Sequence, residues 1–242
     1  MAVPKVLMLH GYTQNASIFS KHLGALRKSI GKDIEFVFLD GPVVLRPVDL
    51  DSSSASTSLA VGAVAGTISS DPSTASRAWW WMNQQAPLTD EMDVSGSLLY
   101  LRDILQRDRY DGVFGFSQGA ALAVLVSALL EQPHIYPPFL VDGEAPHPPF
   151  KFCVAVSGFK PSGSLSAKIY ETPYSTPTLH IFGKTDVIVI EERTKDLIDL
   201  SQNKRVEDHV GGHFVPSRGK WKEFFRDYLL DALGVIHSPA SI

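Results

Sequence analysis

Residues 115–119 read Gly-Phe-Ser-Gln-Gly. A serine between two glycines is a candidate nucleophile. Its hydroxyl is a weak one until the backbone exposes it and a base takes its proton. Exposure calls for a sharp strand-to-helix turn. Two residues before and two after the serine, the chain comes too close to its neighbours to carry a side chain, so Gly115 and Gly119 meet a steric demand. The apolar run Gly112–Phe116 precedes Ser117, and a helical pattern over 118–131 follows it. That helix would aim its N-terminal N–H groups at the site. The backbone N–H of Gln118 is then one donor to an oxyanion. Ala120, Ala121 and Ala123 would let the helix pack closely on a sheet.

In this kind of site the acid and then the base follow the serine in chain order, the base after the last strand. His213, in GGHFVP, meets that condition, and Gly211 and Gly212 before it permit a close approach. His209 is its rival. His10, in LHG, suits the shaping of an oxyanion loop. His180 falls within a strand run and reads as core. His22, His134, His147 and His237 fall on helix faces or loops. For the acid, Asp186 in FGKTD lies just beyond a strand. Its carboxylate would orient the imidazole and stabilise its charged form. Asp208 is nearer His213 in sequence, but a residue within the final strand is badly sited to reach over its own loop. Asp196 and Asp199 read as solvated helix charges.

A second oxyanion donor should come from the loop after the first strand, HGYTQN, and the backbone N–H of Tyr12 is the choice. The same loop also reads as a turn into a helix capped by Asn15 or Ser17. Trp79-Trp80-Trp81-Met82 cannot turn all three indoles to a core. Two buried rings and one at the surface are expected, with Trp80 or Trp81 lining an apolar acyl pocket. Phe159, Val187 and Phe214 flank the candidate residues and join that pocket. Phe116 reads equally as core. His209 and His213 are four apart, but Gly211-Gly212 argues against a helix there. HExxH and cysteine pairs are absent, so no metal ligand set is read and no cofactor is implied.

The elements that must position these groups alternate. Strand patterns fall at Val6–Leu9, Glu35–Leu39, Gly112–Phe116, Phe152–Val156, Thr178–Phe182 and Val206–Val210. Helical patterns fall at 17–30, 94–107, 118–131, 190–202 and 218–233. This alternation predicts an α/β fold with a mostly parallel sheet and helices on both faces. The strand runs are apolar without alternation, which agrees with strands buried on both faces. Most end in glycine-containing turns, at the sheet edge where ligands bind in such folds.

The 242 residues are read as a single domain over 1–242, with loop-like insertions at about 46–76 and 132–149. The first insertion is rich in Ser, Ala and Gly and the second in Pro, with partial mobility expected of both. Residues 58–70 suit a short helix. Charged residues make up 20% and the net charge is −4, which gives no footprint for nucleic acid. Cys153 is the one cysteine; it suits a reducing compartment and reads as core. The N-terminus reads as a first strand rather than a leader, no run is long enough to span a bilayer, and a cytoplasmic protein is expected.

These landmarks fall in a fixed order: LHGYTQN at 9–15, DGP at 40–42, RAWW at 77–80 and YDGVFGFSQGAAL at 110–122. VSGF at 156–159, PTLHIFGKTD at 177–186 and GGHFVP at 211–216 come after them. Across almost the whole chain the set resembles the FSH family of serine hydrolases, small α/β-hydrolases common in fungi. The resemblance implies the α/β-hydrolase fold, a Ser117–Asp186–His213 triad, and esterase or thioesterase activity; the aromatic residues above point to an apolar acyl group. Some fungal relatives release acyl products from carrier-protein thioesters beside polyketide synthases. A carrier protein or synthase as partner, and a role in secondary metabolism, are thereby implied. GFSQG followed by alanines also resembles acyl-protein thioesterases. The segment 46–76 departs from the compact family pattern, so a relative's substrate does not transfer directly. A non-catalytic binding module and an acyltransferase are the alternatives of other classes, and the intact Ser, Asp and His positions weigh against the first.

Overall fold

A computed structural model describes residues 3–45, 74–82, 92–232, 234 and 236–239. Six parallel strands form the main sheet: β1 (Lys5–Leu9), β2 (Glu35–Leu39), β5 (Gly112–Phe116), β6 (Phe152–Val156), β7 (Thr178–Gly183) and β8 (Lys204–His209). Their order is β2-β1-β5-β6-β7-β8. The chain runs outward from β1 to β2, then returns to the other side of β1 with β5. The order reverses between β1 and β5, and in open α/β sheets ligands bind beyond the carboxyl ends of the strands at such a point. Leu9 and Gly115 are register partners there, so Gly11 and Ser117, each two residues on, leave the sheet side by side.

Central strands bury both faces, and each face feeds its own core. Leu7, Leu9, Val113, Cys153 and Ala155 pack with α3 (Ser95–Leu105), α4 (Gln118–Glu131), α5 (Ser164–Ile169) and α6 (Glu191–Ile198). Val6, Met8, Phe114, Val154 and Val156 pack with α1 (Ala16–His22), α2 (Gly24–Ile30) and α7 (Lys220–Leu230). This is why their runs are apolar throughout. Edge strand β8, KRVEDH, alternates in burial, with Lys204 and Val206 exposed and Glu207 and His209 buried. Helix α4 is buried on every side from Gln118 to Leu130. Cys153 is buried too, and burial pushes its thiol up to about 12.

Several expected elements differ in extent. The helix expected over 17–30 is two helices that hinge at Leu23, where ψ is 12° and Gly24 follows. Glycine is a poor helix former, so the break falls beside it. Asn15 caps α1, its side-chain oxygen accepting the Ile18 N–H at 2.8 Å. The last strand begins and ends earlier than the apolar residues of 206–210 suggested, because Lys204 and Arg205 pair with β7. A two-stranded antiparallel pair, β3 (Val43–Val44) with β4 (Arg77–Ala78), was not anticipated. The short helix expected at 58–70 lies outside the described residues. Segment 132–149 is held by 3-10 turns at Pro133–Ile135 and Pro137–Phe139. A tight turn follows at Asp142-Gly143, both at positive φ. Buried His147 fixes the segment's far end by accepting the Tyr110 N–H at 2.9 Å.

Candidate active site

Ser117 sits between β5 and α4 at φ 54° and ψ −119°, a backbone conformation that costs energy for a residue with a side chain. Neighbouring backbone enforces it. A Cβ on Gly115 would lie 2.2 Å from the Gly119 carbonyl oxygen, and one on Gly119 would lie 2.2 Å from the Leu9 carbonyl oxygen. Strand β5, helix α4 and the end of β1 are therefore in contact through bare backbone. The Ser117 N–H donates to the Val156 carbonyl at 2.8 Å, which extends the sheet into the turn.

His213 and Asp186 arrive on the loops that follow β8 and β7. The Ser117 Oγ is 2.9 Å from His213 Nε2. His213 Nδ1 is 2.7 Å from Asp186 Oδ2. The carboxylate accepts at Nδ1, so Nδ1 carries the proton and Nε2 is free to accept from the serine hydroxyl. The other Asp186 oxygen accepts the Ile188 and Val189 N–H groups, each at 2.9 Å. Burial opposes ionisation of Asp186. The hydrogen bond and charge of His213, with those two N–H donors, outweigh it and hold the carboxyl below its usual range. The Phe116 ring lies 4.9 Å from the His213 ring and supports it from behind.

The rivals are engaged elsewhere. Asp208 pairs with Lys184 at 2.6 Å. His209 Nδ1 accepts the Gly211 N–H at 3.1 Å, its ring packs on Phe214 and Trp221, and burial lowers its basicity. Asp199 faces Lys204 at 3.3 Å on the surface. The close approach expected at Gly211-Gly212 is shared with a residue on β7. A Cβ on Gly183 would lie 2.3 Å from the Gly211 oxygen and 2.4 Å from the Gly212 oxygen.

The Gln118 and Tyr12 backbones border Ser117 from two sides. Ala120 and Ala121 N–H groups bond to the Ser117 carbonyl, which leaves Gln118 and Gly119 as the helix-end donors without an intrahelical acceptor. A Cβ on Gly11 would come within 3.4 Å of the Ser117 Cβ, so the loop carrying Tyr12 passes directly beside the serine. His10 shapes that loop. Its Nδ1 lies 2.7 Å from the Gly11 carbonyl and its Nε2 accepts the Gly41 N–H at 2.9 Å. Full burial is the main cause lowering its pKa to about 4, so it is neutral near neutral pH.

Of the three consecutive tryptophans, Trp79 and Trp80 are buried and Trp81 is 52% exposed. Trp80 and Phe159 pack edge to face at 6.3 Å and keep 1% and 2% exposure. Val187 and Phe214, next in sequence to Asp186 and His213, are exposed at 83% and 46%. Three features went unread in the sequence: the Phe116 brace, the Gly183 contact and the bonds of the Gln118 side chain. A polar amide at the first position of an otherwise apolar helix was the available signal for the last.

A model of the family described as serine hydrolase (FSH1) matches residues 1–225. The chain belongs to that family. Similar proteins include "Esterase OVCA2" of Danio rerio, 31% identical over 241 residues and covering 94% of this chain and 97% of the relative. "Esterase OVCA2" of Xenopus tropicalis is 29% identical, with 94% and 92% covered. Among solved structures, Arabidopsis thaliana SOBER1 superposes with a TM-score of 0.60 at 17% identity, covering 96% of this chain and 100% of that one. Zea mays acyl-protein thioesterase 2 superposes at 0.58 and 18% identity, with 96% and 94% covered. These likenesses identify the α/β-hydrolase fold. This FSH1 member is thus a serine hydrolase of the esterase type. No helix among its described residues is long and apolar enough to cross a membrane.

Proposed function

We propose that Ser117, His213 and Asp186 are the catalytic triad of an enzyme that cleaves esters or thioesters of an apolar acyl group. The observation that carries this reading is the unbroken chain of hydrogen bonds, 2.9 Å from Ser117 to His213 and 2.7 Å from His213 to Asp186. Ser117 Oγ attacks the acyl carbonyl carbon while its proton passes to His213 Nε2. The carbonyl oxygen becomes an oxyanion that the backbone N–H groups of Gln118 and Tyr12 stabilise. The intermediate expels the alcohol or thiol, which takes the proton from His213. Water then attacks acyl-Ser117, giving a proton to His213 Nε2. Collapse returns that proton to Ser117 Oγ and frees the acid. Asp186 stays ionised and holds the ring in the tautomer that accepts at Nε2. Exposed Trp81, Val187 and Phe214 support an apolar acyl group, since they put apolar surface on segments near the triad.

Fluorophosphonate labelling tests the assignment. Ser117→Ala is expected to abolish labelling and to lower turnover of a p-nitrophenyl ester by at least about 10³-fold. Labelling that survives the substitution would sink it. Comparing kcat/KM on an acyl thiol and its matched oxygen ester then assigns the leaving group. A carrier-bound acyl chain becomes the substrate to try if the thiol is preferred.

A further inference from the structure

Gln118 contributes a backbone N–H to the scheme above, but its side chain is also fully buried, with both its oxygen and its nitrogen bonded. Its Oε1 accepts the Trp79 N–H at 2.8 Å, and its Nε2 donates to the Trp80 carbonyl at 2.9 Å. Trp79 continues the path. Its indole N–H donates to the His10 carbonyl at 2.8 Å, and its ring lies 5.2 Å from the His10 imidazole. The Arg77 N–H donates to the Gln14 carbonyl at 2.7 Å, and Gln14 Oε1 in turn accepts the Gly11 N–H at 3.0 Å. Residues 77–80 are thus bonded to the elbow on one side and to loop 10–14 on the other.

We propose that the Gln118 side chain is a positioning residue that, through Trp79, sets the spacing between the two oxyanion donors. The inference rests on the oxyanion assignment under Proposed function. Those donors belong to separate elements, the β5–α4 elbow and the β1–α1 loop. The bare contact of Gly119 with Leu9 and His10 sets only how near the two can come. Repulsion fixes a lower limit, and the β1–β5 ladder ties the two elements only as far as Leu9 and Gly115, before the donors themselves. Gln118–Trp79–His10 supplies the restraint in the other direction. Donors aimed at a developing charge lose their effect when displaced by a fraction of an ångström to an ångström, so such a tie should be felt in the transition state more than in bound substrate.

The test compares Gln118→Met and Trp79→Phe in the full chain. Gln118→Met keeps the backbone N–H and the side-chain length but removes both amide bonds. Trp79→Phe keeps a ring but removes the indole donor to His10. Turnover of a p-nitrophenyl ester is measured per serine titrated with fluorophosphonate, so unfolded protein is not counted. Phenylboronic acid, which forms a tetrahedral adduct on the serine, reports the transition-state geometry, and the carboxylic acid product reports ground-state binding. In both variants kcat is expected to fall about tenfold or more, with phenylboronic acid weakened in parallel and product affinity held within about twofold. Unchanged kcat and boronate affinity in both variants would overturn the positioning role. So would equal weakening of boronate and product, or failure of both variants to yield titratable serine, which would make the bonds purely structural. Ser117→Ala separates the two readings: labelling that persists there removes the triad, whereas labelling lost there beside wild-type behaviour in Gln118→Met and Trp79→Phe removes only the positioning role.

Discussion

A Cβ added to Gly119, two residues after Ser117, would lie 2.2 Å from a backbone oxygen, whereas one added to Gly212, immediately before His213, meets nothing nearer than 3.5 Å. The serine is held at the centre of the sheet by backbone pressed on backbone. The histidine is held near an edge strand by hydrogen bonds between loops: Lys184 N–H to the His209 carbonyl at 2.8 Å, Thr185 N–H to the Gly211 carbonyl at 3.2 Å, and the imidazole itself to Asp186. Packed backbone has no slack, while hydrogen-bonded loops can adjust by tenths of an ångström. The serine side should therefore break outright under small changes, and the histidine side should lose activity without losing the fold.

Gly119→Ala tests the rigid side, and the largest loss is expected there. The added methyl group must push apart β1 and α4, neither of which has a flexible side chain to yield. A loss of at least about 3 kcal/mol in urea unfolding is expected, together with loss of activity. On the other side, Asp186→Asn should leave the unfolding transition in place and lower kcat by about 10³- to 10⁴-fold, because the amide no longer holds His213 in the working tautomer. Asp208→Asn, which gives up an exposed ion pair with Lys184, should leave kcat unchanged. Equal losses at the two aspartates would dissolve the distinction between the acid and its neighbour.

What could be read from the sequence follows the same division. The elbow was legible because backbone crowding demands glycine at fixed offsets, and the central strands because burial on both faces demands unbroken apolar runs. Asp186 and His213 could be singled out because chain order and strand ends restrict where such groups arise. The hinge at Leu23 was obscured because the apolar spacing of 17–30 continues through it. The burial of the residues expected to line a pocket was harder still to read. Trp80 and Trp81 are neighbours of identical type, yet one is buried and the other exposed, and only tertiary packing decides which. The Gln118 amide was overlooked because its two partners, Trp79 and Trp80, are almost forty residues away in the chain.

Each side also carries a buried neutral histidine, and these sharpen the contrast at smaller amplitude. His10, beside the elbow, has both ring nitrogens engaged. His180, within β7, has neither nitrogen bonded among the described residues. Burial is the main cause lowering their pKa values, to about 4 and about 3. Unfolded histidine takes up a proton near pH 6.5, whereas the folded side chains stay neutral until well below that. Stability should therefore fall as pH drops from about 6.5 toward 4 and then 3, by about 3 kcal/mol for the His10 shift alone. His10→Leu should lose about 2 kcal/mol already at pH 7, since it strands the Gly41 N–H and takes one of two donors from the Gly11 carbonyl, which keeps the Gln14 N–H. His180→Leu strands nothing. It should keep pH 7 stability within about 1 kcal/mol and flatten the acid slope in urea titrations run across pH. An unchanged slope would mean that His180 does not contribute to it.

Gly212→Ala should have the smallest effect of all. Gly212 is not among the residues at positive φ, so alanine meets no backbone strain there. The new methyl group would meet the Thr185 carbonyl at 3.5 Å and its hydroxyl at 4.0 Å, both ordinary contacts. Replacing glycine also narrows the unfolded ensemble, which stabilises a compatible site by about 0.4–1 kcal/mol. Urea unfolding should show equal or slightly higher stability, and kcat should stay within about twofold because His213 keeps its bond to Asp186. A loss approaching that of Gly119→Ala would make the histidine loop as rigid as the elbow. The steric demand on this side belongs instead to Gly183, whose Cβ would strike the carbonyls of Gly211 and Gly212, so Gly183→Ala is the substitution that should disturb the loop.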